Sequence, residues 1–117
     1  MELFNVKEIY KEFEYPVSFI KANNLNLVDF DFWYFMTQEQ VNIRINGLIK
    51  RYPNRKLVPF ARRDDSDDIA CFEVGKNSKI QVIHDFASEG YEQRGEYNNL
   101  WDWMKAAIDE LAIREKN

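Results

Sequence analysis

The chain has 117 residues, with 16 Lys and Arg against 20 Asp and Glu, a formal net charge of −4. That length suits one domain, 1–117, and folding buries roughly two-thirds of such a chain's unfolded surface, so a core forms without metals or disulfides. The mild acidity argues against general nucleic-acid binding, which wants a basic face. Hydrophobic residues make up 45% and aromatics 15%, which excludes disorder of the whole chain. One cysteine excludes an intrachain disulfide and fits a reducing compartment. No apolar run approaches the ~20 residues of a membrane span, and the N-terminus lacks the cationic start and apolar run of a secretory signal. The expectation is a cytoplasmic protein without membrane attachment.

The first element predicted is a helix. Asn5 and Glu8 have capping-box spacing, Phe4 and Ile9 that of a hydrophobic staple, and Val6, Ile9, Tyr10 and Phe13 come at helical spacing. Pro16 is predicted to open a short helix, Pro16 to Ala22, because its missing N–H costs nothing in a first turn. From Leu25 to Met36 the period changes: Val28, Phe30, Phe32 and Tyr34 alternate with Asp29, Asp31 and Trp33, which reads as strand.

Thr37 and Gln40 form a second capping box. Val41, Ile45, Leu48, Ile49 and Tyr52 make the apolar stripe of the next helix, and Pro53 stops it. Gly47 inside that helix costs about 1 kcal/mol against alanine and points to a close packing contact. Strands are predicted over Leu57 to Ala61, Ile69 to Val74 and Ile80 to Phe86. Gly75 to Lys79 supplies turn chemistry. With those five residues as the loop, Val74 faces Ile80, Phe72 faces Val82 and Ala70 faces His84. Glu73, Cys71 and Ile69 then pair with Gln81, Ile83 and Asp85 on the other face. Ala87 to Asn99 reads as a polar loop. Asn99 is placed to cap a last helix whose buried stripe is Leu100, Trp103, Met104, Ala107, Ile108 and Leu111. The order predicts an α+β fold with a mainly antiparallel central sheet and helices packed on it.

The insert Arg62-Arg63-Asp64-Asp65-Ser66-Asp67-Asp68 invites a calcium site. Counted from Asp64 as an EF-hand loop, position 6 is Ile69 where glycine is needed, and position 12 is Gly75 where a bidentate acid is needed. Zinc lacks ligands, with one Cys and one His in the chain. A Cys71–His84 nucleophile pair is disfavoured because the expected register puts the two on opposite faces of their hairpin. Cys71 then reads as a small buried hydrophobe and His84 as a core-edge, hydrogen-bonding residue. The chain carries no Walker loop, dinucleotide fingerprint or nucleophile elbow, so no catalytic residue, cofactor or metal is assigned. "RINGLIKR" (Arg44 to Arg51) reads as the mildly basic, solvated side of its helix. Trp33, Tyr34, Phe35, Trp101 and Trp103 exceed what one helix or sheet face hides. Trp33 and Trp101, with the acids Asp64, Asp65, Asp67 and Asp68, are the candidate partner-binding residues.

Together these segments resemble the second half of the SUKH superfamily, the cell-wall-assembly-regulator-like proteins. The resemblance runs through Pro59-Phe60-Ala61, the turn from Asp64 to Asp68, Cys71-Phe72-Glu73-Val74, Val82-Ile83-His84-Asp85 and Leu100-Trp101-Asp102-Trp103, covering roughly Leu57 to Leu111. Asn23-Asn24 stand where that family usually has a glycine-containing turn. The resemblance implies an α+β domain without a shared catalytic constellation. It also implies a role: many bacterial members look like immunity proteins that bind and neutralise a cognate toxin, often a nuclease. Others are intracellular scaffold or regulatory modules, which is the alternative. A small hydrolase is the third class, and it requires His84 beside an acid or beside Cys71.

Overall fold

The computed structural model describes residues 1–115. Helix α1 (Val17–Asn24) precedes a short strand β1 (Trp33–Phe35), and helix α2 (Gln38–Arg51) leads into β2 (Leu57–Arg63). Strands β3 (Asp68–Glu73), β4 (Ile80–His84) and β5 (Gln93–Tyr97) come next, and α3 (Leu100–Glu115) ends the described chain. The five strands form one antiparallel sheet in sequence order, a meander with α2 inserted between the first two.

The sheet is covered on both faces. Alternate residues of a strand point oppositely, so Ala70 and Phe72 meet a different cluster from Ile69 and Cys71. The larger cluster joins Phe60, Ala70, Phe72 and Ile80 to Phe13, Phe19, Phe30, Phe35, Leu100, Trp103 and Met104. Its centre is aromatic: Phe60 stacks on Phe72 at 4.6 Å between ring centroids, and Trp103 meets Phe60 edge-on at 5.2 Å. The smaller cluster packs Val41 and Leu48 of α2, and Tyr52 just after it, with Leu57, Ile69, Cys71 and Ile83. This explains why β2 and β3 lack a polar face: neither side of them meets water.

Two predicted elements come out differently. The N-terminal helix is only a 3₁₀ turn, Val6–Glu8, and the Asn5 side chain makes no cap. Its stripe is still used, because Val6, Tyr10 and Phe13 pack against the larger cluster. The long strand from Leu25 to Met36 is instead a tight reversal. Phe30 N–H donates to the Trp33 carbonyl at 2.8 Å, Phe35 N–H to Val28 at 2.8 Å, and Asp31 takes φ of 71°. The Asp29 carboxylate accepts the Asp31 N–H at 2.9 Å, the side-chain bond that favours turns at aspartate. The reversal changes which residues face inward: Phe30, Trp33 and Phe35 are buried, whereas Phe32 and Tyr34 are half-exposed.

Other expectations hold with smaller changes. Thr37 and Gln40 form the full capping box of α2, the hydroxyl accepting the Gln40 N–H and the amide oxygen accepting the Thr37 N–H. Pro16 is the residue before α1 rather than its first, and the helix runs two residues beyond Ala22, to Asn24. Asn99 caps α3 by accepting the Asp102 N–H at 2.9 Å. Ile49 and Ile108, expected in buried stripes, are 36% and 48% exposed. The β3–β4 register slips by two residues, so that Asp68 faces His84 and Ala70 faces Val82. An even slip preserves the faces. It arises because Val74 stays with β2, donating to the Lys56 carbonyl at 3.0 Å, while Gly75 and Asn77 turn the chain with positive φ. The expected polar loop from Ala87 holds β5, an edge strand whose Arg94 is bulged out between the pairs Val82–Gly95 and Ile83–Gln93.

Candidate functional site: the charged turn and its surroundings

The turn from Asp64 to Asp67 joins β2 to β3. Its acids are not equivalent. Asp65 is gripped by Arg63, whose Nε and Nη2 donate to the two carboxylate oxygens at 2.7 and 2.9 Å. The same guanidinium donates to both oxygens of Glu110 on α3, at 2.6 and 2.7 Å. Hydrogen bonds from Arg63 are the main cause that holds Asp65 and Glu110 below the usual carboxylate range. Arg114 adds a longer contact to each and lies over the Phe32 ring, 4.3 Å from its centroid. Arg63 itself lies over Trp33 at 5.4 Å. Asp65 therefore belongs to a clamp that fixes the turn on α3.

Asp68 is occupied as well. Its Oδ1 lies 2.7 Å from His84 Nδ1, with Arg94 of β5 at 3.7 Å. Asp64 and Asp67 carry the outward charge: both are exposed, and the Asp67 carboxylate takes no hydrogen bond or ion pair among the described residues. Four aspartates that look alike in the sequence are thus two acids tied by ion pairs and two that face outward. Spacing could not separate them, because the partners Glu110, Arg114, His84 and Arg94 come from other elements.

The two tryptophans also part. Trp33 is 6% exposed, with its ring edge-on to Trp103 at 5.4 Å, so its surface is spent in the core. Trp101, on the outer side of α3, is 37% exposed. Exposed aromatic residues outside the candidate set lie on the β4–β5 connection: Phe86 at 60% and Tyr91 at 81%. Only their position after β4 could have signalled them.

Cys71 and His84 lie on opposite faces of the sheet, as expected. Burial pushes the Cys71 thiol up, away from the nucleophilic thiolate. His84 does have an acid beside it, Asp68, which meets one requirement of the hydrolase reading. A nucleophile is a separate requirement, and the one hydroxyl at the turn, Ser66, accepts the Asp68 backbone N–H at 3.2 Å. Among the described residues, no group of three or more His, Cys, Asp or Glu side chains is arranged to hold a metal ion.

On the opposite face, Asp85, the residue after β4, has a fully buried side chain between Arg44 and Arg51 of α2. Burial pushes its pKa up. The hydrogen bonds from Arg51, Arg44 and the Phe86 N–H outweigh that and leave it below the usual value. Gly47 makes this possible: a Cβ there would lie 2.7 Å from the Arg51 guanidinium nitrogens. Phe86, with φ of 68°, covers Arg51 at 4.2 Å from its ring centroid. A second arginine hub sits below, where Arg55 bonds Glu73, Glu92 and Gln93. No helix of the described residues is long and apolar enough to cross a membrane.

The fold and surface define an α+β protein with a five-stranded antiparallel sheet, helices packed against it, and a turn whose charges are partly tied and partly turned outward. No family model, curated protein or solved structure matches this chain.

Proposed function

We propose that this chain is a non-catalytic, SUKH-like protein-binding domain that acts as a bacterial immunity protein, binding a cognate toxin and neutralising it. The observation that supports this most is how the SUKH-like residues pack. Pro59-Phe60-Ala61 lies on β2, Cys71-Phe72-Glu73 on β3, Val82-Ile83-His84 on β4, and Leu100 to Trp103 opens α3. Phe60, Phe72 and Trp103 from three of these segments touch one another or a shared neighbour in the larger cluster. The residues that carry the resemblance therefore lie in one folding unit rather than in scattered pieces. The role itself is assigned by analogy, since a fold hosts many roles.

Asp67, whose carboxylate has no hydrogen-bond or ion-pair partner among the described residues, is the acid best placed to steer association with a basic toxin such as a nuclease, and Trp101 is the exposed aromatic nearest in kind to a binding anchor. Co-expression with the toxin encoded by the neighbouring gene tests the proposal. Rescue of growth and a purified complex are expected, and neither rescue nor complex would overturn it. Asp67→Asn should then slow association at low salt and have little effect at high salt, read by stopped-flow mixing. An unchanged rate removes the turn from the interface. Asp65→Asn is the wrong probe, because it also loosens the grip of Arg63 on α3.

A further inference from the structure

Arg62 stands apart from the chain's other arginines. Among the described residues, Arg44, Arg51, Arg55, Arg63, Arg94 and Arg114 each have a carboxylate within ion-pair distance, and Arg62 has none. It is half-buried, its Nε is buried without an acceptor, and its guanidinium rests over the Tyr34 ring at 5.7 Å. Beside it, on the α2 side of the sheet, is a depression of about 170 Å³ lined by Met36, Gln40, Ile43, Arg44 and Arg62. Ile43 on its rim is 67% exposed. On the α2 side, Arg44 and Arg51 share the single carboxylate of Asp85, and the acid nearest to Arg62 in sequence, Asp64, accepts a hydrogen bond from Tyr34. Along α2, Glu39 stands alone against Arg44, Lys50 and Arg51.

We infer that Arg62 is the docking point for a carboxylate side chain of an acidic, partly apolar segment of a partner protein, with Ile43 taking the apolar contact next to it. This rests on the protein-binding reading and names the chemistry of the partner at that surface. A guanidinium left over an aromatic ring with an unfilled buried donor gains most from a planar, bidentate acceptor, which a carboxylate supplies. As the acid enters, the guanidinium swings outward, and its Nε is satisfied. A phosphate backbone fits less well: the depression is sized for one side chain, Met36 and Ile43 give its lining an apolar part, and the chain as a whole is net negative.

The test is side-chain NMR of the full ¹⁵N- and methyl-labelled chain, titrated with the capped peptide Leu-Glu-Asp-Leu-Glu. Its Gln/Asn counterpart and a ten-residue oligothymidylate serve as comparisons. Expected is a saturable shift of the Arg62 Nε–Hε signal and the Ile43 methyl signals with the acidic peptide alone. Arg62→Gln should weaken that binding about tenfold, Arg62→Lys less, and Asp67→Asn not at all. The inference is overturned by any of three results: no saturable shift, an equal response to the neutral peptide, or affinity unchanged in Arg62→Gln. Tighter binding of the oligothymidylate overturns it too and assigns the site to phosphate. If Arg62→Gln loses its folded spectrum, Arg62→Lys decides, since it keeps the charge and loses the bidentate fork. The peptide result stands apart from toxin rescue, so either reading can fail alone.

Discussion

Gly47, Arg51 and Asp85 form a unit in which the smallest residue has the most specific job. Alanine at 47 would normally stabilise a helix interior by about 1 kcal/mol. Here its methyl would meet the Arg51 guanidinium at 2.7 Å and push it from two hydrogen bonds to a fully buried carboxylate. Such charge-assisted bonds are worth about 1.5–3 kcal/mol each, so losing one of the two already outweighs the helix gain. Gly47→Ala is expected to destabilise the protein by about 1 kcal/mol in urea unfolding. In an Asp85→Asn background Arg51 has no carboxylate to lose, and the same substitution is expected to stabilise by about 1 kcal/mol. A substitution effect of the same sign in both backgrounds would show that Gly47 does not serve the ion pair. The sequence exposed the glycine as an anomaly inside a helix, but the carboxylate it serves lies 34 positions from Arg51, out of reach of any local pattern.

At the scale of elements, two stretches with the same capping-box spacing behave differently, and they make a paired prediction. At α2 both reciprocal bonds form, so Thr37→Ala should cost about 1 kcal/mol in urea unfolding. At Asn5 no side-chain cap exists, so Asn5→Ala should fall within about 0.5 kcal/mol of wild type. The two caps differ in the chain they introduce. Thr37 precedes 14 helical residues with an apolar stripe, whereas the chain after Asn5 leaves its 3₁₀ turn after 3. Helix nucleation is costly and short helices depend on packing, so spacing alone overstated the first. The same contrast explains the other departures. Phe30 to Phe35 has strand-like alternation, but aspartates at 29 and 31 supply the turn chemistry that wins. Strand β5, Gln-Arg-Gly-Glu-Tyr, has no apolar alternation, because an edge strand with one neighbour is held by backbone pairing. Helices α2 and α3, β2 to β4 and the separation of Cys71 from His84 were legible, because buried periodicity and turn residues agree there. The division of the acidic turn was not, because it is made by residues distant in sequence.

Over the whole molecule, carboxylates held by arginine set the response to acid. Asp65 and Glu110 are kept below their usual pKa first by hydrogen bonds from Arg63. Burial raises Asp85 and Glu92, but hydrogen bonds from Arg51 and Arg44 in one case, and from Arg55 in the other, leave both lowered. A carboxyl with a depressed folded pKa binds protons more readily in the unfolded chain. Its stabilising contribution is therefore present above the ordinary carboxylate pKa near 4 and is lost as pH falls through the folded value. Stability to urea should be nearly flat from about pH 8 to 5 and fall steeply below about pH 4. Asp85 can be isolated within that fall. Asp85→Asn removes a buried anion and leaves Arg44 and Arg51 facing each other without it, which should cost about 3 kcal/mol at pH 7. The variant then has one fewer group to protonate, so its stability curve below pH 4 should be shallower than wild type by up to about 1.4 kcal/mol per pH unit. The two curves converge in acid, where the wild-type carboxyl is itself neutral and the α2–β4 anchor is gone from both. Parallel curves would place the acid sensitivity elsewhere, in the clamp that Arg63 makes between the charged turn and α3 or at Glu92 held by Arg55.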